Sequence, residues 1–177
     1  MPDFCLLRTE DLADHDLAEL RPMLDAAFRG RFDDHDWDHA LGGWHAVVRD
    51  DGRLVAHAAV VERVLEVGDR SFRTGYVEAV ATAPDRQGEG FGDQVASEVT
   101  DLVRRSYELG ALSTAHHAFY ERLGWERWQG PSYVREADRV VRTEDEDDGV
   151  MVLRVGPSVA IDLTAPITCP ARPGDDW

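Results

Sequence analysis

A glycine-rich turn between a long strand and an amphipathic helix constrains the fold of this chain more than any other feature. Phe72–Thr82 reads as a long strand, and Pro84 ends it, because proline has no N–H to donate and restricts the residue before it. Glycines at alternate positions, 88 to 92, follow. An apolar stripe with a period near 3.6 then predicts a helix over Gly92–Leu109.

This turn is suited to an anion. Small residues let backbone N–H groups point inward, and a helix N-terminus carries roughly half a positive charge, so a pyrophosphate fits there and Arg86 can add a charge-assisted hydrogen bond. A dinucleotide-binding fold is disfavoured, because the third glycine falls one residue early (position 93 is Asp93) and the turn follows several hairpin-linked strands. Glycines that serve only a tight turn are the second interpretation.

Hairpin signals and short apolar runs predict the remaining elements. Asp50-Asp51-Gly52 between Trp44–Arg49 and Leu54–Val67 predicts a β-hairpin. Residues 135–149 are polar, and the proline-containing tail 157–177 is predicted to be irregular. The sequence therefore predicts one α+β domain over 1–177 with a mixed sheet. Its other predicted elements are strands over Phe4–Thr9, Ala111–Ser113, Trp125–Trp128 and Val150–Val155, and helices over Leu17–Phe28, Asp33–Ala40 and His116–Leu123.

The charge balance excludes whole classes of function. The net charge is −16, and all 19 basic residues are arginine. Without lysine there is no Schiff-base or pyridoxal-phosphate chemistry and no P-loop. A broad nucleic-acid surface and an anionic membrane surface are disfavoured, because both need positive charge. A cationic partner is favoured, since the carboxylates attract it over roughly 8–10 Å at ordinary salt.

The cysteines and the hydropathy predict a cytoplasmic protein. Cys5 and Cys169 are the two cysteines and lie far apart, and no apolar export segment follows a basic start. Two free thiols in a reducing cytosol are therefore expected. No apolar run approaches the roughly 18 residues of a membrane span, so no membrane contact is predicted.

Two segments resemble the signatures of the GNAT acetyltransferases. Residues Arg86–Gly92 resemble the Q/R-x-x-G-x-G/A signature, and Ala118–Trp125 resembles the second one, in which a helix tyrosine lies near the thiol of CoA. The resemblance implies the GNAT fold, a mixed and mostly antiparallel central sheet flanked by helices, with acetyl-CoA in the cleft between strands 4 and 5. It implies these cofactor-binding residues: Val80, Ala81, Thr82, Arg86, Gln87, Gly88, Glu89, Gly90, Phe91 and Gly92.

Six further segments spread over nearly the whole chain carry a second resemblance: Asp36–Gly43, His57–Val60, Val77-Glu78, Tyr107–Ser113, Trp128–Pro131 and Gly174–Trp177. They resemble the aminoglycoside 2'-N-acetyltransferases, and the C-terminal tryptophan is unusually specific. This resemblance implies acetyl-CoA as donor, CoA as product, transfer to the 2'-amine of an aminoglycoside antibiotic, and a homodimer.

The resemblance assigns roles for direct transfer. The acceptor amine must lose a proton, the thioester carbonyl must be polarised and the departing thiolate must gain a proton. Glu78 is the candidate base, directly or through a water, and Tyr120 the candidate acid. The N–H groups of Val80 and Thr82 are expected to bind the pantetheine arm and the carbonyl oxygen, because such donors stabilise developing negative charge.

The implied acceptor is a polycation held largely by carboxylates. For the acidic run, Glu146 or Asp148 stays an alternative to Asp147, because the match there needs a gap. One position departs from the family: Arg31 stands where an Asp tends to meet the antibiotic, and it would repel a cation unless it turns away. The implied acceptor contacts are Asp36, Glu78, Ala79, Ser113, Asp147, Asp175 and Trp177 with its terminal carboxylate.

Other functions stay open beside this one. A GNAT enzyme for another polyamine, amino sugar or peptide amine is the first alternative, and a non-catalytic acidic binder that sequesters a cationic drug is the second. His35 and His39 have a metal-like i, i+4 spacing but lack the H-E-x-x-H glutamate and an evident third ligand, so no metal is predicted. Ser113 near His116 and His117 lacks the G-x-S-x-G turn of a hydrolase.

Overall fold

The computed structural model describes residues 2–177, whose contacts divide into two compact units. Unit 1 comprises the residues up to 61 together with 77–99, and unit 2 comprises 62–76 and 100–177. Three elements contribute residues to both units: strands β3 (Arg53–Val67) and β4 (Arg70–Thr82), and helix α3 (Phe91–Ser106). A single domain over 1–177 stays a prediction.

Unit 1 contains an antiparallel meander in the order β1-β2-β3, with β1 at Asp3–Arg8 and β2 at Trp44–Asp50. The β2–β3 hairpin turns at Asp51 (φ 50°) and Gly52 (φ 78°), the left-handed pair that matches the twist of a two-residue loop. Helices α1 (Asp14–Ala27) and α2 (Asp34–Ala40) belong to the same unit. Its apolar core comprises Leu20, Met23, Leu24, Phe32, Val47, Leu54, Ala81 and Ala83.

Unit 2 contains a mixed sheet, and most of its strand pairs are antiparallel. The parallel pairs are β4 with β5 and β7 with β10, where β5 is Leu109–Ser113, β7 is Ser132–Arg135 and β10 is Ile167–Pro170. The order is β6-β9-β5-β4-β3-β10-β7-β8, with β6 at Glu126–Arg127, β8 at Val140–Arg142 and β9 at Val150–Arg154. A short helix, α4 (His117–Glu121), follows β5. The prediction of an α+β fold with a mixed, mostly antiparallel sheet is confirmed.

Two glycines allow the end of α3 to pack closely on the sheet of unit 2. A Cβ at Gly75 in β4 would lie 2.7 Å from the Tyr107 ring, and one at Gly110 in β5 would lie 2.9 Å from Val103. Any larger residue would push the helix away from the strands.

Three sequence predictions need correction. The helix predicted over Gly92–Leu109 ends at Ser106, because Leu109 pairs with Thr74 of β4 and opens β5. The tail predicted as irregular over 157–177 is wrong at Ile167–Pro170, which pairs in parallel with β7. Strand β8 lies within residues 135–149, where only polar character was noted. Such pairing joins distant segments, so no local periodicity indicates it. Within residues 2–177, no helix is both long and apolar enough to cross a membrane.

Candidate active site

The loop after β4 is fixed to the β2–β3 hairpin by two ion pairs within unit 1. Arg53 donates two hydrogen bonds of 2.6 Å to the Asp85 carboxylate. One residue further on, Arg86 Nη2 donates to Asp50 Oδ2 at 2.7 Å. The Arg53 hydrogen bonds lower the pKa of Asp85 to about 2, so its carboxylate is ionised at neutral pH. The loop is therefore held in one conformation before any ligand binds.

Arg86 has a role that the sequence did not suggest. Besides Asp50, it contacts Glu89, whose Oε1 and Oε2 lie 3.0 and 3.1 Å from Arg86 Nε. These two carboxylates raise the pKa of Arg86, Glu89 first and Asp50 second. The charge predicted to meet a pyrophosphate is thus compensated inside the protein, and Arg86 first of all shapes the loop. Its role as a cofactor ligand stays a prediction.

The backbone of this loop fits a pyrophosphate group. Gly88 (φ 83°) and Gly90 (φ 89°) adopt the left-handed conformation that glycine allows without strain. A Cβ at Gly92 would lie 3.0 Å from Thr82 Oγ1, so the first turn of α3 lies directly against the end of β4. The helix has 16 residues, and its N-terminal end, which carries the positive end of the helix dipole, lies at this loop. The other predicted loop residues, Gln87 and Phe91, belong to the same segment, with Phe91 buried.

The backbone of β4 is irregular at the candidate base. Ala79 has a left-handed φ of 49°, which costs a non-glycine residue about 1–3 kcal/mol. Glu78, Ala79 and Val80 are all half-buried, whereas Val77 and Ala81 on either side are buried. A buried stretch of β4, residues 74–77, therefore gives way to three successive partly accessible residues at this point.

Helix α2 packs against the same apolar core as Ala79, through the residue that follows Asp36. Trp37 and Ala79 both pack on the apolar core of unit 1. Asp36 forms a capping box with Asp33: its Oδ2 accepts from the Asp33 N–H at 2.9 Å, and its own N–H donates to Asp33 Oδ1 at 3.0 Å. Asp36 thus has a structural task, and one carboxylate oxygen remains for a ligand. Arg31 is exposed just before this helix.

Tyr120, in unit 2, is a buried phenol. Its ring makes edge contacts with Phe119 at 4.9 Å and Trp125 at 6.1 Å between centroids. The Trp125 indole N–H donates to Thr100 Oγ1 at 2.9 Å, which fixes the second of these rings. Burial raises the pKa of Tyr120, so the phenol keeps its proton at physiological pH. The phenol is therefore in its protonated form, and its role as the acid stays a prediction.

Asp147 is engaged within the protein. Its Oδ1 accepts from Ser132 N–H at 2.9 Å, Ser132 Oγ at 2.8 Å and Arg142 Nη1 at 2.7 Å, and its Oδ2 accepts from Arg142 Nη2. The Arg142 hydrogen bonds lower the pKa of Asp147 to about 2, against the opposing effect of burial, and the hydrogen bonds from Ser132 lower it further. Both carboxylate oxygens accept hydrogen bonds from these two residues. Asp147 therefore connects β7 to β8 and is not left open for a cation.

Glu146, the alternative contact, is half-buried like Asp147 but differs in its partners and in the direction of its pKa shift. It is half-buried, and it forms no ion pair with any residue among 2–177. Burial raises its pKa, and the negative charges of Asp175, Asp145 and Asp176 raise it further. The acidic run and the C-terminal tail are therefore close enough to repel each other. An arriving cation would relieve that repulsion.

The C-terminal tail is held by its tryptophan. Trp177 is 4% exposed, and its indole N–H donates to Thr143 Oγ1 at 3.2 Å. Thr143 in turn contacts Ser132 Oγ at 2.9 Å, which reaches Asp147. Asp175 Oδ1 accepts from the Trp177 N–H at 3.3 Å, while the rest of Asp175 is exposed. Sequence reasoning missed Ser132 and Thr143, because nothing in their local sequence marks them.

Ser113 lies beside the end of the acidic run. A Cβ at Gly149 would lie 2.6 Å from Ser113 Oγ, and Thr114 N–H donates to Gly149 O at 2.9 Å. His117 Nε2 donates to Asp148 O at 2.6 Å. Within residues 2–177 Ser113 Oγ has no hydrogen bond to His116 or His117, as a serine hydrolase would need. No group of three or more metal-ligating side chains occurs in the same described range.

Comparisons with known proteins identify the fold and the family. A sequence model described as an acetyltransferase (GNAT) domain matches residues 8–128. An aminoglycoside 2'-N-acetyltransferase from Mycolicibacterium fortuitum is 45% identical over 176 residues, covering 97% of this chain and 90% of that protein.

Solved structures agree on the fold. A GNAT acetyltransferase from Brucella melitensis in complex with acetyl-CoA has a TM-score of 0.61 at 19% identity and covers 93% of this chain and 94% of its own. The Escherichia coli N-acetyltransferase YhbS in complex with CoA has a TM-score of 0.62 at 16% identity and covers 95% and 89%. The chain belongs to the GNAT acetyltransferases, in the family of the aminoglycoside 2'-N-acetyltransferases.

Proposed function

We propose that this enzyme transfers the acetyl group of acetyl-CoA directly to the 2'-amine of an aminoglycoside antibiotic. The observation that carries this choice is Glu146, a half-buried carboxylate with no cationic partner among residues 2–177 and a pKa raised beside Asp175 and Asp176. Such a site favours an acceptor with several positive charges, as an aminoglycoside has. The 45% identity to an aminoglycoside 2'-N-acetyltransferase supports the same class.

The loop after β4 is proposed to hold the donor. The fixed backbone around Gly88 and Gly90 and the first turn of α3 would bind the pyrophosphate, and the N–H groups of Val80 and Thr82 would bind the pantetheine arm and the thioester oxygen. Acetyl-CoA supplies the acetyl group as an activated thioester, and CoA leaves as product. Arg86 supports this binding by fixing the loop through Asp50.

The proton transfers are assigned to two side chains. Glu78, directly or through a water, takes the proton from the acceptor amine as its nitrogen attacks the thioester carbon. Tyr120 gives its phenolic proton to the departing thiolate sulfur. Such assistance typically contributes 10²–10⁴-fold to the rate. No covalent acetyl-enzyme intermediate is required, because the two substrates react within one ternary complex.

The acceptor contacts are proposed from each unit by itself. Asp36 offers its remaining oxygen, and Ala79 and Ser113 offer neutral contacts. In the tail, Asp175 and the Trp177 carboxylate act together with Glu146, which replaces Asp147 as the contact from the acidic run. A cytosolic homodimer is proposed as the working form, and the free thiols Cys5 and Cys169 support its reducing compartment.

Arg31 favours a second candidate acceptor. Its guanidinium is exposed beside α2 and forms no ion pair with a residue among 2–177. An amino sugar or polyamine that also carries an anionic group would gain from this charge, whereas a pure polycation would not.

Release of the CoA thiol tests the proposal. The enzyme is mixed with acetyl-CoA and either a 2'-amino aminoglycoside or its 2'-hydroxy counterpart, which lacks only the reacting nitrogen. The proposal requires release with the first compound alone. Equal release with both would contradict 2'-transfer, tight binding without release would indicate a sequestering protein, and release only with other amines would indicate the second acceptor class.

A further inference from the structure

A buried chain of hydrogen bonds connects the start of the protein to the irregular point in β4. Thr9 Oγ1 lies 2.8 Å from His45 Nε2, His45 Nδ1 lies 2.9 Å from His57 Nε2, and His57 Nδ1 lies 2.8 Å from Ala79 O. Both histidines are fully buried. All four residues belong to unit 1.

The last acceptor fixes the direction of every proton in this chain. Because a carbonyl oxygen only accepts, His57 carries its proton on Nδ1 and donates to Ala79 O. His57 Nε2 is then unprotonated and accepts from Nδ1–H of His45. His45 Nε2 is unprotonated in turn, and it accepts from the Thr9 hydroxyl.

Thr9, the first member of this hydrogen-bond chain, is also fixed by the backbone around it. Thr9 Oγ1 accepts from the N–H groups of Gly42 at 2.8 Å and Gly43 at 3.1 Å. Its own proton has two acceptors, His45 Nε2 at 2.8 Å and Gly43 O at 3.3 Å, and the shorter contact is the one to His45. Gly43 cannot be replaced without moving the strand, since a Cβ there would lie 2.0 Å from Val60 O. The network thus starts on a rigid backbone and keeps one tautomer throughout.

Both imidazoles remain neutral at working pH. Burial lowers the pKa of His57 to about 3, helped by the neighbouring His45, and burial lowers that of His45 to about 4. With pKa values this low, neither histidine takes a proton from the substrate at working pH. Their contribution is a directed hydrogen bond.

We propose that His57 is a positioning residue for acetyl transfer, with His45 and Thr9 fixing its tautomer. The Nδ1–H donor holds the Ala79 carbonyl and so maintains the left-handed backbone of that residue. This conformation sets the direction of the preceding side chain, Glu78, and of the following N–H, on Val80. The inference rests on the proposed roles of Glu78 and Val80, and it adds His57 as the residue that positions both of them.

Two substitutions of His57 separate positioning from packing. His57→Leu removes the donor but keeps an apolar side chain, and we expect kcat for the 2'-amino aminoglycoside to fall about 10- to 100-fold with KM for acetyl-CoA within about twofold. His57→Asn places an amide N–H where Nδ1 lies, and we expect it to restore at least a tenth of the wild-type kcat. His15→Leu, at an exposed histidine outside the network, is the matched control with unchanged kcat. Equal kcat in wild type and folded His57→Leu, or no difference between the Leu and Asn variants, would overturn the proposal.

A spectroscopic measurement tests the proton arrangement without catalysis. In a long-range ¹H–¹⁵N NMR spectrum of the histidine-labelled protein, two imidazoles should show protonated Nδ1 and unprotonated Nε2 from pH 8 to about 5, and both signals should vanish or shift in His57→Asn. An Nε2–H tautomer at His57, or titration near pH 6.5, would overturn the proposal even if the Leu variant fails to fold. If Glu78→Gln leaves kcat unchanged while His57→Leu lowers it, the proposed base fails and the positioning of the Val80 N–H stands. The converse result leaves the base standing and removes His57.

Discussion

Neutralising Asp147 and neutralising Glu146 should have opposite consequences, although the two residues are adjacent and chemically alike. Asp147 is bound by Arg142 and Ser132, whereas Glu146 has no cationic partner among residues 2–177. We therefore expect Asp147→Asn to destabilise the fold with little change in KM for the aminoglycoside. We expect Glu146→Gln to raise that KM and leave the melting temperature equal or higher.

The magnitudes follow from the two environments. A pKa of about 2 instead of 3.8 for Asp147 corresponds to at most about 2.4 kcal/mol of stability. The Asp147 and Arg142 side chains are 30% and 34% exposed, so solvent screening reduces this to about 1 kcal/mol. For a chain of this length that is a Tm lower by about 2–4 °C. For Glu146, loss of one half-buried contact worth about 1 kcal/mol raises KM about fivefold.

The pH dependence of stability distinguishes the two variants further. The folded-state pKa of Asp147 is depressed, so its stabilisation is complete above pH 4 and is lost as pH falls from about 4 to about 2. The Tm difference between wild type and Asp147→Asn, measured by calorimetry, should therefore shrink across that window. A fivefold increase in KM for Asp147→Asn with unchanged Tm, together with wild-type kinetics for Glu146→Gln, would refute this assignment.

Four further substitutions test other parts of the site. Glu78→Gln should lower kcat about 100-fold or more with KM little changed; wild-type turnover across the pH range would remove Glu78 as base. Arg31→Asp should tighten aminoglycoside binding about fivefold by calorimetry, and unchanged affinity would show that this side chain does not face the acceptor. Arg86→Gln should raise KM for acetyl-CoA and Arg53→Gln should do so to a smaller extent, because Arg86 forms two ion pairs, with Asp50 and Glu89, and Arg53 forms one, with Asp85. Unaltered KM in both variants would show that the loop needs neither arginine.

Much of the fold was accessible from local sequence. The hairpin at Asp51-Gly52 was predicted because its turn needs two left-handed residues, a local requirement. The stripe of α3 was predicted for the same kind of reason, since helix periodicity is local. Strand β10 was not, because Ile167–Pro170 has its partner β7 more than 30 residues earlier, and two prolines nearby suggested irregular structure instead.

The candidate site also has some features that local sequence predicts and others that depend on tertiary contacts. The left-handed conformations of Gly88 and Gly90 could be predicted, because a tight glycine-rich turn requires them whatever its tertiary contacts are. The engagement of Asp147 and Arg86 could not, since whether a charged side chain faces a ligand or an internal partner depends on tertiary contacts such as Arg142 and Asp50. The role of His57 was equally hidden, because a histidine in an apolar strand gives no sign of what accepts its proton.

The position of the acetyl group on the product tests the central claim most directly. The enzyme is incubated with ¹³C-acetyl-CoA and an aminoglycoside that carries several amines, and the product is mapped by two-dimensional NMR. The account predicts a single amide at the 2'-nitrogen, formed with one equivalent of CoA. A product acetylated at any other nitrogen, or at several, would contradict it.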